Sequence, residues 1–441
     1  MGNSNRIFVD TSFALKEGTI DKYEEEVLRI QKLISSKNAI GHQNLGFLNV
    51  YANTVNKEIN NIRKIKDWLI AENIEFLVTI APQHICLQAE GLIEYLYGRA
   101  YYSSNHPVKV IFVNECINSR EIAHLAKFLE TKNFAINVIS HSGESIETLL
   151  IFRELKAILH KLLGKATAKK YIFITTNNNY GKLFNEARVN NYRQFVLLDN
   201  STEKFLNYSA AILFPLACAG IDIEKYLSGA LMANNYYAKT PLKKNPAYQY
   251  AVSRYILSKN NFNLENLNVF SAANFKLARL YQMYLGETTL KANGGIYVVS
   301  NLQPADNKSF SENNTASPFK MFDTTIIIET PRIDYRISAF EDDDDEGLNS
   351  YAKLTYNTIE KAAIKTMIEN HVLTYKIPNI KITITDDSNE ETLGWIIAFI
   401  HHASIMSAYL RDVNPFINQG VESYNTNLLK NLTELIGGNN D

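Results

Sequence analysis

Asn137-Val-Ile-Ser-His-Ser-Gly-Glu-Ser-Ile-Glu147 is the stretch that decides the fold, because an apolar strand pattern ends there directly before a helical pattern. Exposed backbone N–H groups at a helix start carry partial positive charge, and Ser140, Ser142 and Ser145 add hydroxyl donors at the same place. The stretch therefore predicts a turn that binds phosphate. An alternative interpretation is an ordinary capped helix start, in which Ser142 or Ser145 is the N-cap.

Short apolar runs alternate with helical patterns on both sides of this stretch. Helical periodicity over residues 20–70 comes before the first clear strand pattern. Strand, helix and strand in this order predict a parallel sheet with helices on both faces. The predicted strands cover residues 74–80, 108–113, 134–140 and 171–176, and the predicted helices cover residues 120–132 and 146–163.

A second α/β region follows the apolar run at residues 210–217. The sequence therefore predicts two domains: residues 1–215 with an N-terminal helical segment and the first sheet, and residues 216–441 with the second sheet and a C-terminal helical tail. Residues 301–317 are rich in Asn, Ser, Ala and Asp without a period, which predicts a long surface loop. The strands expected in the second region cover residues 324–329 and 379–386, and the helices cover residues 350–370 and 390–410.

Composition narrows the classes of partner. The 441 residues are 46% hydrophobic and 21% charged with a net charge of -1, which is typical of a soluble globular protein. This charge gives no electrostatic reason to expect binding to nucleic acid or to an anionic membrane. The three cysteines lack metal-type spacing, and the first residues lack the apolar run of a signal peptide. We therefore expect a cytoplasmic protein with reduced thiols.

Neither a membrane span nor a metal site is predicted. The apolar window at residues 394–410 is interrupted by His401, His402 and Ser404, so it predicts a buried helix rather than a membrane span. The two histidines are adjacent rather than four apart, so they cannot present both rings on one helix face to a metal. The acidic run at residues 341–346 has two interpretations, a hard-cation site and a solvated turn, of which the solvated turn is the more common.

Six segments, in one order along nearly the whole chain, resemble the glucose-6-phosphate isomerase (phosphoglucose isomerase) family. The phosphate loop of that family reads S-K-S-G-T-T-T-E, and Ser140-His-Ser-Gly-Glu-Ser-Ile-Glu147 occupies its place, followed by Phe152-Arg153. Val413-Asn-Pro-Phe-Ile-Asn-Gln-Gly-Val-Glu-Ser-Tyr424 is similar to the family's V-N-P-F-D-Q-P-G-V-E-A-Y. The other three segments are Gly41-His-Gln-Asn-Leu-Gly-Phe-Leu48, Pro215-Leu-Ala-Cys-Ala-Gly-Ile-Asp-Ile-Glu224 and Asn245-Pro-Ala-Tyr-Gln-Tyr-Ala251.

The resemblance implies an α/β fold of two sugar-isomerase (SIS-type) domains, each a parallel sheet sandwiched by helices. It also implies a dimer whose active site borrows a histidine from the neighbouring subunit, and a sugar phosphate substrate of glycolysis and gluconeogenesis. The implied reaction moves a proton between C1 and C2 through an enediolate and uses no cofactor. It needs a phosphate anchor, a ring-opening group, a base for the carbon-bound proton and positive charge over the oxyanion.

The resemblance assigns residues to each of these needs. Ser140, His141, Ser142 and Ser145 take the phosphate-binding positions, and Glu287 in Gly286-Glu-Thr-Thr-Leu-Lys291 takes the place of the base. An alternative interpretation of Glu287 is a solvated loop carboxylate, and of His141 an ordinary exposed histidine. The remaining three positions are changed: Lys308 replaces the ring-opening histidine, Asn425 replaces a lysine, and Lys204 replaces the arginine of the family's G-G-R-Y-S.

These changes weaken the implied chemistry. A protonated Lys308 is a poor proton acceptor, Asn425 has no titratable proton, and Lys204 lacks the planar fork of an arginine. The family's glycine loop G-G-S-Y-L-G is replaced by Gln83-His-Ile-Cys-Leu-Gln88, whose side chains should fill space that the substrate needs.

The sequence therefore favours a catalytically impaired homologue, retained as a homodimer or as a structural subunit of a larger assembly. Two alternatives are a working isomerase and a non-catalytic sensor of sugar phosphate.

Overall fold

The computed structural model describes residues 5–437, except residues 51–55, 104, 117, 292, 293, 341–343, 387 and 388. The strands are β1 (Ile7–Asp10), β2 (Phe76–Ile80), β3 (Lys109–Val113), β4 (Phe134–Ile139), β5 (Ile172–Thr176), β6 (Arg193–Val196), β7 (Leu264–Val269), β8 (Tyr297–Leu302), β9 (Met321–Thr330) and β10 (Asn379–Asp386).

The helices alternate with these strands along most of the chain. They are α1 (Glu24–Ser35), α2 (Asn56–Ala71), α3 (Gln83–Tyr97), α4 (Ser119–Leu129), α5 (Ile146–Leu163), α6 (Lys165–Ala168), α7 (Lys182–Asn190), α8 (Ala210–Cys218), α9 (Ile223–Lys239), α10 (Pro246–Lys259), α11 (Phe275–Thr289), α12 (Ala305–Ser309), α13 (Ser311–Thr315), α14 (Tyr356–Glu369), α15 (Glu390–Tyr409) and α16 (Gln419–Gly437).

The first sheet has the strand order β3-β2-β4-β5-β6, and every neighbouring pair is parallel. Its central strand β4 is buried at all six positions, as expected for a strand covered by helices on both faces. In a parallel sheet the carboxyl ends of neighbouring strands meet at one edge. The turn after β4 and the start of α3, which follows β2, therefore lie side by side.

The second sheet has the order β1-β10-β9-β7-β8. Strands β10, β9, β7 and β8 are parallel, and β1 pairs antiparallel with β10. The α/β fold class with two helix-flanked sheets is therefore confirmed. Short β1, which periodicity did not predict, belongs to the second sheet although it comes first in the chain, and the predicted division after residue 215 stays a prediction.

The helix α15 forms the centre of the main hydrophobic core. It is buried from Thr392 to Tyr409 and packs closely against α9. Two glycines permit this approach, because a Cβ at Gly229 would lie 2.1 Å from Glu391 O and a Cβ at Gly394 would lie 2.2 Å from Ala230 N. The two helix backbones are therefore in direct contact.

Two local predictions differ from the structure. The expected loop at residues 301–317 contains the short helices α12 and α13. Glu287, which was expected on a loop, lies in the last turn of α11. Part of the acidic run, residues 341–343, lies outside the described residues. No helix of the described chain combines the length and apolarity that crossing a membrane requires.

Candidate active site

The predicted site residues other than Lys308 gather where α3, α11, α16 and the turn after β4 meet. Three neighbouring cavities lie here, and His84 lines all of them. The serine cavity, about 540 Å³, is lined by Ser140, Ser142, Ser145 and Asn425. The middle cavity, about 280 Å³, and the α11 cavity, about 450 Å³, complete the crevice. His141 and Lys204 line the middle cavity, and Lys204 and Glu287 line the α11 cavity.

The serine oxygens are used largely within their own turn. Ser145 is the N-cap of α5 and accepts a hydrogen bond from Thr148 N, so the capped-helix interpretation holds for this residue. Ser140 Oγ accepts from Gly143 N at 3.1 Å, and Ser142 Oγ accepts from Glu144 N at 3.3 Å. These bonds give the turn its shape without any ligand.

A carboxylate from a different segment occupies the turn. Glu203 Oε1 accepts a hydrogen bond from His141 N at 3.0 Å, and Glu203 Oε2 lies 3.1 Å from His84 Nε2. Burial alone would raise the pKa of the Glu203 carboxyl. The hydrogen bond and charge of His84, together with the charge and N–H of His141, outweigh burial and hold that pKa below its ordinary value. Glu203 is therefore ionised at neutral pH.

The serine cavity has an acidic lining. Its described lining residues include Glu115, Glu144, Glu147 and Glu203 but neither lysine nor arginine. Glu144 has a lysine partner, Lys182 at 3.4 Å, which does not line the cavity. Within the part of the chain that the structure describes, no three His, Cys, Asp or Glu side chains are grouped to hold a metal ion.

Helix α3 occupies the position of the glycine loop. It begins at Gln83, directly after Pro82, and Gln88 is fully buried in its second turn. Gln88 Nε2 donates to His84 O and Glu203 O, both at 2.9 Å, and Gln88 Oε1 accepts from Leu206 N at 2.8 Å. The Gln88 side chain therefore holds the Glu203 segment against α3.

Glu287 has a cationic partner in the crevice. Lys204 Nζ donates to Glu287 Oε2 at 2.6 Å and to Asn418 Oδ1 at 2.9 Å. The Lys204 side chain is only 13% exposed, whereas that of Glu287 is 53% exposed. Lys291 Nζ donates to the carbonyl oxygens of Glu287 and Ile417, at 2.6 and 2.8 Å, and so links α11 to the segment before α16.

Asn425 and His141 also line the crevice, whereas Lys308 does not. Asn425 is on α16 over the serine cavity, and His141 Nε2 lies 3.6 Å from Asp199 Oδ1. Lys308 is exposed on α12 and is not among the described residues that line the three cavities. The resemblance implies a histidine borrowed from a neighbouring subunit, so one chain does not test the position of Lys308.

Sequence analysis did not identify Glu203 as a site residue. The signal was present in the same motif as Lys204, because Glu203 takes the place of the second glycine in the family's G-G-R-Y-S. A glycine there has no side chain that reaches the turn after β4. Only the folded structure shows that this glutamate reaches His141, which is 62 residues away in the chain.

The chain is similar to named proteins over almost its whole length. No protein-family model matches it. Glucose-6-phosphate isomerase of Mycoplasmopsis pulmonis is 35% identical over 425 residues, which are 96% of this chain and 98% of that protein. The Mycoplasma mobile glucose-6-phosphate isomerase is 33% identical over 95% of this chain and 96% of that protein.

A solved structure supports the fold separately. The crystal structure of a glucose-6-phosphate isomerase from Chlamydia trachomatis superposes with a TM-score of 0.78 over 98% of this chain and 89% of that chain, at 11% identity. At this identity the likeness shows the fold alone. Taken with the two relatives that are at least 33% identical, it leads to one assignment: the chain belongs to the glucose-6-phosphate isomerase family.

Proposed function

We propose that this protein is a glucose-6-phosphate isomerase homologue with strongly impaired catalysis, retained as a structural or assembly subunit in the cytoplasm. The observation that carries the proposal is the Glu203 carboxylate bound to His141 N at 3.0 Å. In the resemblance, this turn holds the substrate's phosphate. An ionised carboxylate already supplies the negative charge that a phosphate would bring.

Electrostatics favour this proposal. Two like unit charges about 4 Å apart repel each other by about 4 kcal/mol at the effective dielectric of a protein surface. A phosphate in the serine cavity would face Glu115, Glu144, Glu147 and Glu203 without a lining lysine or arginine among the described residues. Binding would therefore require Glu203 to leave the turn or to take up a proton.

The reacting end of the crevice is also altered. The loss of an acid–base partner costs about 10² to 10⁴ in rate, and the loss of one oxyanion donor costs about 10² to 10³. Asn425 replaces one such partner, and Lys204 lacks the second arm of an arginine fork. These losses are not additive, but two in one site would bring an ordinary enzyme to marginal turnover.

A coupled assay with fructose 6-phosphate tests the proposal. We expect the purified protein to show no turnover above its Glu287→Gln variant, because Asn425 and Lys204 replace two of the groups with which the base would act. Turnover that disappears in Glu287→Gln would overturn the proposal and establish a working isomerase.

Replacing Glu203 by glycine tests directly whether the Glu203 carboxylate occupies the place of a phosphate at His141 N. Crystals of Glu203→Gly soaked in phosphate should contain an anion at His141 N, whereas wild-type crystals should keep the carboxylate there. The matched control is Glu144→Gln, which removes a carboxylate from the same cavity but leaves the Glu203–His141 contact intact. An anion at His141 N in wild-type crystals would contradict this account.

A working isomerase is the second candidate. The close contact between Glu287 and Lys204 favours it, since both stand where the resemblance places the base and the cation. The length and identity of the match to the two mycoplasma proteins also favour it. The third candidate, a non-catalytic sugar phosphate sensor, predicts a thermal shift with fructose 6-phosphate that Ser142→Ala abolishes, without turnover.

Exposed apolar side chains support self-association or an assembly partner. Ile333, Tyr335 and Tyr356 are 80%, 68% and 60% exposed, although backbone hydrogen bonds from Ile337 N to Leu354 O and from Tyr356 N to Tyr335 O join residues 335–337 to residues 354–356. We expect the pure protein to have twice the chain mass of 50.1 kDa in light scattering. A mass of one chain would exclude the homodimer, and the protein would then be a subunit of an assembly with other proteins.

A further inference from the structure

A cavity of about 430 Å³, which we call the α2 cavity, lies between α2 and β6 and outside the crevice. Arg193 in its lining is the first residue of β6, so the cavity is near the amino end of the first sheet. The turn after β4 is at the carboxyl end. Among the described residues, none that lines the α2 cavity also lines one of the three crevice cavities.

The lining of the α2 cavity combines an apolar part with two cations. Ile65, Trp68 and Phe195 supply the apolar part, and Lys64 and Arg193 supply the charges. Lys64 and Trp68 are four residues apart and therefore share one face of α2. No carboxylate of the described residues lines the cavity. A ligand there meets two positive charges, although the whole chain has a net charge of -1.

Arg193 is held in place without the use of its hydrogen-bond donors. Its Cζ lies 4.3 Å from the centroid of the Trp68 ring and 5.7 Å from that of the Phe173 ring. Stacking on an aromatic face orients a guanidinium but leaves its N–H groups unbonded. Arg193 makes no hydrogen bond or ion pair to another described residue. Its donors are therefore oriented and available to a ligand.

The Trp68 ring is itself fixed by a neighbour. The Tyr171 ring stacks on it, with centroids 5.2 Å apart and an angle of 24° between the planes. The Tyr171 hydroxyl donates to Glu72 Oε2 at 2.8 Å, and so links this ring to the residue that follows α2. Because the guanidinium lies on a fixed ring, an anion that binds it has less side-chain freedom to remove.

We propose that the α2 cavity binds small dicarboxylates. One carboxylate accepts two parallel N–H groups of Arg193, a geometry that suits a planar carboxylate. The second carboxylate meets the ammonium of Lys64, which is exposed and has no partner among the described residues. The carbon chain between them contacts the apolar part of the lining. Because the two cations stand on different elements, two separated anionic groups fit better than one compact anion.

Calorimetric titration of the full-length protein at fixed ionic strength tests the site. We expect succinate to bind more tightly than inorganic phosphate, and more tightly than succinamate, which has the same shape but one charge fewer. Arg193→Gln should weaken succinate about ten- to one-hundredfold, because a charged hydrogen-bond donor is lost. Lys64→Gln should weaken it less, since an exposed ammonium contributes less. The control Arg120→Gln removes an exposed arginine of α4 that does not line the cavity, and should leave binding unchanged.

The fluorescence of Trp68 gives a second and independent measurement. The chain has two tryptophans, and the other one, Trp395, is only 2% exposed. Succinate should protect the half-buried Trp68 from quenching by acrylamide in the wild type but not in Arg193→Gln. Trp68→Leu keeps both cations but removes the ring under the guanidinium, so it should weaken succinate about two- to fivefold. Trp68→Phe keeps an aromatic ring and should restore part of this loss.

Three results would overturn the proposal: succinate does not bind, Arg193→Gln binds it like wild type, or succinamate or phosphate binds as tightly as succinate. An acidic peptide that binds through Arg193 while succinate does not would also overturn it, and would assign the cavity to a protein partner. The fructose 6-phosphate assay and the Glu203→Gly crystals do not involve the α2 cavity. The proposal of impaired catalysis and this one therefore fail separately.

Discussion

The interior around α15 and the crevice beside α11 use the same kinds of side chain in opposite ways. In the interior, Arg254 and Glu265 are fully buried and form a 2.7 Å ion pair, to which Tyr250 and Thr324 add hydrogen bonds. In the crevice, Arg279 is exposed without a partner among the described residues. The charges of the interior pair are therefore committed to the fold, whereas that of Arg279 is engaged by no described residue.

The interior and the crevice also differ in how tightly a glycine is packed in each of them. The backbone of α9 lies against Gly394, whereas open space lies next to Gly286. Tight packing requires the first glycine, and packing does not require the second. The comparison suggests that the fold tolerates change in the crevice but not around α15, and the following predictions test that difference from the largest effect to the smallest.

The largest effect is expected from breaking the buried ion pair. Arg254→Met leaves the Glu265 carboxylate buried without its cation, which costs about 3–5 kcal/mol of the free energy of unfolding. Urea unfolding followed by circular dichroism measures it. The double variant Arg254→Met/Glu265→Leu should recover most of the loss, since it removes the orphaned charge. Equal stability of Arg254→Met and wild type would contradict the contrast.

The second largest loss of stability is expected when the pH is lowered, because two histidines are buried in the interior. His401 and His402 are buried in α15, and burial lowers the pKa of both, that of His402 to about 3. The folded state holds them neutral while the unfolded state takes up protons below about pH 6.5, so their stabilisation is lost as pH falls through 6.5. When the pH is lowered from 7.5 to 5.5, each histidine should therefore lower the free energy of unfolding by about 1.4 kcal/mol.

Urea titrations at the two pH values measure this loss. His402→Gln should lose about 1.4 kcal/mol less than wild type between these pH values, because one of the two buried histidines of α15 has been removed. A free energy of unfolding that does not change between pH 7.5 and 5.5 would exclude neutral burial of these histidines.

A methyl group at the α9–α15 contact should have a smaller effect. Gly394→Ala places a Cβ 2.2 Å from Ala230 N, so the helices must separate, at a cost of about 1–3 kcal/mol. Thermal unfolding at pH 7.5 measures the shift. If Gly394→Ala unfolds at the wild-type temperature, the backbones of α9 and α15 are not in direct contact.

The smallest effect, of opposite sign, is expected in the crevice. Gly286→Ala meets no backbone and removes a flexible residue from the last turn of α11, so it should stabilise the protein by up to about 1 kcal/mol. The same urea measurement applies, with Gly394→Ala as the matched variant. Destabilisation by Gly286→Ala would mean that the α11 cavity is packed.

The regular elements were predictable because their periodicity is strong. The pattern at residues 146–163 coincides with α5, and that at residues 379–386 coincides with β10. Strand β1 was not predictable, because its four residues include only one buried side chain and its pairing partner lies almost 380 residues away. Local patterns carry no information on such a distant contact.

The candidate site was predictable only in part. The resemblance identified Glu287 and Lys204, which the structure brings to 2.6 Å, and the serines that line one cavity. It did not reveal that Glu203 bonds His141, because this contact depends on how two segments approach each other in space. Arg279 belongs to no motif, and only the cavity shows what its charge faces.

The pairing of β1 with β10 has a consequence for synthesis on the ribosome. Ile7 lies opposite Ile384, so β1 leaves the exit tunnel long before its partner strand β10, and the hydrogen bonds between them form late. Until then β1 is unpaired, and without β1 the finished sheet would end at an uncovered β10 edge, which recruits other chains. Removing residues 5–10 should therefore increase aggregation of newly made protein during expression.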